Sequence, residues 1–198
     1  MNCRLRLDGI SDLLVISAME AVPREEFVPA HLRAAAYEDR ALPIESGQAI
    51  SQPAVVAFMT QELRLTSSSR VLEVGTGSGY QAAVLARIAR DVYSIERIAS
   101  LARAAAGRLI RLGYGRIHLR EGDGALGWPE EAPFDAIIVT AAAAAVPPAL
   151  LAQLGPGGRL ILPVGEANGP QILVLIERKG PGGFERQELW PVRFVPLL

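Results

Sequence analysis

The sequence predicts an α/β fold: one doubly wound, mostly parallel sheet with helices on both faces and a helical cap at the N-terminus. Three observations lead there. From Arg70 onward short apolar runs alternate with segments of helical period. The run Phe134-Asp135-Ala136-Ile137-Ile138-Val139 is nearly continuous in its apolar character, as a strand buried on both faces must be. A cluster of glycines stands between the first such run and the helix after it.

The first fifty residues have a different character. Leu13-Leu14-Val15-Ile16 and Met19 recur at helical spacing, and Pro23 closes that helix. A second short helix is expected over residues 27–37. Residues 42–53 are rich in turn formers, and Pro53 suits the first turn of a helix over 54–63, where its missing N–H sacrifices no bond. The alternating part follows, with strands at 71–74, 92–95, 117–119 and 134–139 and helices at 80–89, 100–112 and 148–154. Gly157-Gly158 then turns the chain into a strand at 159–162. The apolar runs 171–176 and 192–195 flank a Gly-Pro-Gly-Gly turn at 180–183 and are expected to pair as a hairpin. The whole is read as a single domain, 1–53 forming the cap and a substrate loop and 54–198 the core.

Composition narrows the function. With 20 Lys plus Arg against 21 Asp plus Glu, the net charge is −1, which argues against a dedicated nucleic-acid binder. The single cysteine, Cys3, cannot form an internal disulfide, and residues 1–8 lack a signal peptide's apolar core. The longest apolar stretch is broken by Pro147 and Pro148, so no membrane span is expected. A cytoplasmic monomer is the expectation. His31 and His118 are well separated, so neither a metal cluster nor a thiol mechanism is indicated.

Chemistry concentrates in Glu73-Val74-Gly75-Thr76-Gly77-Ser78-Gly79. A turn at this place opens into the ligand crevice of an α/β sheet, and its glycines let a ligand approach the backbone. The Gly-x-Gly-x-Gly spacing departs from the Gly-x-Gly-x-x-Gly of dinucleotide sites. An acid two residues earlier, Glu73, would repel a pyrophosphate but suits the ammonium and sulfonium of S-adenosylmethionine. Glu96 ends the second strand and can accept hydrogen bonds from both ribose hydroxyls. Asp123, followed by Gly124, comes after the third strand and can accept from the adenine amino group. Asp between glycines is also an ordinary turn. Thr140, at the end of the fourth strand, either touches substrate or packs; Trp128 and Trp190 are expected to pack.

These residues also fit a family pattern. The chain resembles the bacterial protein-L-isoaspartate O-methyltransferases over nearly its whole length. The match is carried by residues 22–29, Leu42-Pro43-Ile44, Gly47-Gln48-Ala49-Ile50-Ser51-Gln52-Pro53, 71–80, Gly122-Asp123-Gly124, 135–142, Gly157-Gly158-Arg159-Leu160, Pro163-Val164-Gly165 and Arg193-Phe194-Val195-Pro196-Leu197. The segment 47–53 is the most specific. The resemblance implies a Rossmann-like methyltransferase that uses S-adenosylmethionine, needs no metal and acts on isoaspartyl proteins and peptides. It places cofactor on Glu73, Gly75, Thr76, Gly77, Ser78, Gly79, Glu96, Asp123 and Gly124, and substrate on Ile50, Ser51, Gln52 and Thr140.

By the same resemblance Ser51 is the active-site serine, holding the acceptor carboxylate. Its bland alternative is to cap the helix that begins near Pro53. Ala49 stands where the family usually has threonine, and Glu45 where it often has glycine. A methyltransferase for another acceptor, such as a small metabolite or RNA, and a non-catalytic cofactor binder are the competing readings; a dehydrogenase is disfavoured by the loop spacing.

Overall fold

The computed structural model describes residues 5–6, 9–166, 169–180 and 182–197. Cys3, with most of residues 1–8, and Pro181 of the predicted turn lie outside them. Five parallel strands come first in the sheet: β3 (Arg70–Val74), β4 (Asp91–Glu96), β5 (His118–Glu121), β6 (Phe134–Val139) and β7 (Leu154–Gly165). Two antiparallel strands, β8 (Gln171–Gly180) and β9 (Gly183–Val192), extend it. The spatial order is β5-β4-β3-β6-β7-β8-β9. The chain winds outward from β3 through β4 to β5, then returns to lay β6 against the other side of β3. That reversal opens a crevice at the carboxyl ends of β3 and β6, where ligands bind in folds of this kind.

Alternate residues of each strand enter two separate cores. Val71, Ala136, Ile138 and Ile161 belong to one, packed with the cap, while Leu72, Val74, Ile137 and Val139 belong to the other. The first face is covered by α1 (Leu13–Ala21), α2 (Pro53–Glu62), α3 (Tyr80–Ala86) and α4 (Ala99–Arg111). Only α5 (Pro148–Gln153) among the named helices adds to the second. Helices thus lie on both faces, but unequally.

Several local expectations are corrected. The helix expected over 27–37 is two short 3-10 turns, Arg24–Phe27 and Ala30–Ala35, because Pro29 holds Val28 extended at φ −116° and ψ 156°. α3 ends at Ala86, three residues early. The hairpin forms, but its second strand is Gly183–Val192 and not 192–195. β8 offers its edge directly across the turn, so pairing starts there, and Val192 opposite Gln171 is the last paired residue. Residues 42–50 fold into a small hairpin of β1 (Leu42–Pro43) and β2 (Ala49–Ile50).

Candidate active site

The glycine loop joins β3 to α3 at the crevice. Gly75 has φ +96°, and a Cβ there would lie 2.5 Å from Thr140 Oγ1, so neither the backbone angle nor the space admits a side chain. Thr140 leaves β6 beside it and donates to the Gly75 carbonyl at 2.6 Å. Gly124 is constrained by space alone: a Cβ would meet Val74 Cγ1 at 2.3 Å. Glu96 accepts from Gly77 N at 2.8 Å through Oε2 and from Ile98 N at 2.9 Å through Oε1. Each oxygen keeps a second lone pair for a ligand.

Three cavities meet here. Gly75, Gly77, Glu96, Gly124 and Thr140 line the crevice, together with Gln48, Ala49 and Ile98. Ser51, Gln52 and Thr140 line an open pocket of about 820 Å³, whose other wall is Trp190 and residues 191–196. A small cleft between Ile50, Ser51, Thr76, Ser78 and Tyr80 connects them. Ala49 and Thr140 border all three. Among the described residues Arg193 is the one ionisable side chain lining the large pocket, which suits an anionic guest.

The predicted residues are thus largely brought together, with exceptions. Glu73 is completely buried and lines none of these cavities. It accepts from Ser94 Oγ, which also contacts Thr76 Oγ1 at 2.6 Å, so the acid sits behind the loop. Burial pushes its carboxyl up to about 8, the Ser94 hydrogen bond opposes that, and Glu96 adds to it. Asp123 stands beside the crevice without lining it: Oδ1 caps a 3-10 turn through Ala125 N at 2.9 Å, and Oδ2 lies 3.9 Å from Arg97, which does line the crevice. Gly79 shapes the entry to α3 in the left-handed region.

Ser51 is not a helix cap. α2 has Gln52 at its N-cap without a side-chain bond, and Asp39 Oδ1 accepts from Ala54 N at 3.1 Å instead. Among the described residues the Ser51 hydroxyl makes no hydrogen bond. Glu45 lies outside the large pocket; it is the chief influence keeping the half-buried Arg108 charged, against the downward pull of burial. Arg108 in turn donates to Ser78 O at 2.8 Å.

Sequence reasoning gave residues 193–197 no place at the site, expecting 192–195 to be a strand. Ala142 N donates to Val195 O and Leu197 N to Ala142 O, both at 2.8 Å, folding this segment back across the crevice and the pocket. Its match to the family pattern was the available signal. Trp190 both packs and lines the pocket, stacked on Phe58 at 3.7 Å. Among the described residues no group of three or more His, Cys, Asp or Glu could hold a metal ion, and no helix is long and apolar enough to cross a membrane.

Residues 1–198 match the family described as protein-L-isoaspartate(D-aspartate) O-methyltransferase (PCMT). The chain belongs to this family. It is therefore an S-adenosylmethionine-dependent carboxyl O-methyltransferase of the isoaspartate-repair type, on a Rossmann-like fold. A protein-L-isoaspartate O-methyltransferase of Anaeromyxobacter dehalogenans (strain 2CP-C) is 60% identical over 190 residues, 96% of this chain and 91% of the relative. Protein-L-isoaspartate O-methyltransferase 1 of Geotalea uraniireducens (strain Rf4) is 54% identical over 198 residues, 100% of this chain and 90% of the relative.

Solved structures agree on the fold. A protein-L-isoaspartate O-methyltransferase, 32% identical, superposes with a TM-score of 0.88 over 98% of this chain and 64% of that one. A candidate family member from Plasmodium falciparum, in complex with S-adenosyl-L-homocysteine, superposes with a TM-score of 0.85 at 27% identity, covering 100% of this chain and 96% of that one.

Proposed function

We propose that this chain methylates the free α-carboxylate of L-isoaspartyl residues in altered proteins and peptides, at the narrow junction formed by Ala49 and Thr140. The observation that carries this reading is that these two residues alone border crevice, pocket and cleft together. A cofactor in the crevice and an acceptor in the pocket come closest there, beside the free hydroxyl of Ser51.

The crevice residues fit S-adenosylmethionine. Gly75 and Gly77 bring bare backbone to the crevice wall, Glu96 offers lone pairs to ribose hydroxyls, and Gly124 lets its loop pack directly on Val74 where both line the crevice. When bound, the cofactor supplies an electrophilic methyl group on sulfur. Glu73 acts from behind the loop, and Asp123, beside Arg97 at the crevice edge, keeps lone pairs for a ligand's amino group. A carboxylate is already ionised near neutral pH, so no strong general base is required. Ser51 orients it, with Gln52 and Ile50 shaping the approach; such alignment contributes about 7–11 kcal/mol in favourable cases. The next backbone nitrogen then attacks the ester and expels methanol to close a succinimide, which water can reopen as ordinary aspartate.

A pocket of about 820 Å³ admits residues flanking the isoaspartyl unit, and the balanced charge supports a protein acceptor over nucleic acid. Cap and sheet share one apolar core, which supports reading the chain as one domain, and the single cysteine fits a reducing cytoplasm. The test is incubation with labelled cofactor and matched peptides. The isoaspartyl peptide should be labelled and its aspartyl twin left unlabelled, because the extra backbone methylene displaces the α-carboxylate. Equal labelling would remove the repair assignment.

A further inference from the structure

The cap contains a buried arginine that the chemistry above does not use. Arg24 is 0% exposed. Its Nε donates to Ala36 O at 2.7 Å and its Nη2 to Ser51 O at 2.7 Å. The Tyr80 ring centroid lies 4.8 Å from the guanidinium carbon; burial pulls the arginine's pKa down, and Tyr80 first, then Tyr37 and Asp39, oppose that pull. The rigid fork therefore ties two segments together, the end of the second 3-10 turn and the loop that carries Ser51.

What this does to the loop follows from the planarity of the peptide bond. In a trans peptide the carbonyl and the next N–H point in opposite directions. Holding the Ser51 carbonyl against Arg24 turns the Gln52 N–H away from the cap. Among the described residues that N–H has no hydrogen-bond partner, and Gln52 lines the acceptor pocket. Downstream, Pro53 restricts its own φ and Asp39 holds Ala54 N, so the peptide cannot easily rotate.

We propose that Arg24 is a positioning residue for the methyl acceptor: by anchoring the Ser51 carbonyl it keeps the Ser51 hydroxyl and the Gln52 N–H on the pocket side, as paired donors to the acceptor carboxylate. This rests on the reading of the large pocket as the acceptor site. The charge itself does not touch substrate. It acts through the loop, so the geometry of the fork matters more than the presence of a cation.

The experiment is steady-state kinetics on Arg24→Lys, Arg24→Gln, Ser51→Ala and the Arg24→Lys/Ser51→Ala double variant. Folded sites are counted by S-adenosyl-L-homocysteine titration, so a variant that folds poorly is still scored per folded molecule. Lysine keeps a cation but not the planar fork. For Arg24→Lys, kcat on an isoaspartyl peptide should fall at least about tenfold while the Kd for S-adenosyl-L-homocysteine stays within about twofold. Arg24→Gln should be slowed similarly. The double variant should be no more than about twofold slower than the slower single one, since both changes remove the same arrangement.

Near-normal kcat per folded molecule in both Arg24 variants overturns the proposal. So do losses that multiply in the double variant, or a matching loss of cofactor affinity. Wild-type turnover in Ser51→Ala would instead defeat the serine reading alone, and the Arg24→Lys rate would then judge the Gln52 donor by itself.

Discussion

Ser51 carries two separable expectations, one for rate and one for stability. Its hydroxyl is unpaired among the described residues, and the start of α2 is held by Asp39. Ser51→Ala should therefore lower turnover strongly with little change in cofactor affinity, as for a contact made in the transition state. Its melting temperature should hardly move; a cap would have contributed about 0.5–2 kcal/mol. Initial rate and melting curve on one preparation decide this, and a normal rate per folded molecule removes Ser51 from catalysis. Glu73 calls for a pH experiment. Its carboxyl is raised from 4.5 to about 8 by burial, so between these values the folded chain holds a proton that the unfolded chain has released. Stability contributed by this group must fall as pH rises through that window and level off above it. Glu73→Gln abolishes the slope. Denaturant unfolding without cofactor should show the variant gaining on the wild type by roughly 3–4 kcal/mol between pH 5 and pH 8. Parallel curves would mean that Glu73 is ionised when folded. The sequence showed an acid at this position but not its burial, which depends on Ser94, twenty-one residues away on β4.

Among the elements, β9 and the segment after it departed most from expectation. The apolar run at 192–195 looked like a strand, yet mainly polar residues 184–188 pair with β8, and the apolar run becomes a strap across the site. Period alone cannot tell a strand from an extended segment held by side chains. Gln171 does much of the holding: Oε1 accepts from Phe194 N at 2.7 Å, and Nε2 donates to Phe194 O at 3.1 Å. Gln171→Ala should cost about 1–3 kcal/mol, the usual penalty for stranding buried polar partners. Because the strap lines crevice and pocket alike, calorimetry should show weaker S-adenosyl-L-homocysteine binding, and kinetics a raised KM for peptide. An unchanged value for both would show that the strap holds without this side chain. The cap turns are a smaller lesson of the same kind, since Pro29 was visible in the sequence and its interruption of the expected helix could have been anticipated.

At the scale of the molecule, one apolar cluster runs from Ile10, Met19 and Phe27 of the cap through α2 and α3 to Val71 and Ala136 of the sheet. Cap and sheet should consequently unfold together. Far-ultraviolet and near-ultraviolet signals should give one midpoint on denaturation, and two separated transitions would show the cap to be an independent unit. Ligand binding tests the same unity. S-adenosyl-L-homocysteine at a hundredfold excess over Kd should stabilise by about 2.7 kcal/mol, raising Tm by roughly 5–10 °C for a chain of this size. A shift confined to one probe would contradict a shared core.

The succession of strands and helices, the glycine turn between β3 and α3 and the place of Glu96 at a strand end are all legible in the chain's residues. These follow from period, turn chemistry and steric rules acting over a few residues. Motif spacing also made the family visible before any contact was known. Only the tertiary structure decided that β6 lies against β3 and brings Thr140 onto Gly75, that Asp123 turns toward Arg97, and that residues 193–197 close over the crevice. It likewise seated Arg24 beneath Ser51, twenty-seven residues apart in the chain. Such contacts form because burying apolar faces forces distant segments together, and each polar group caught between them must then find a partner.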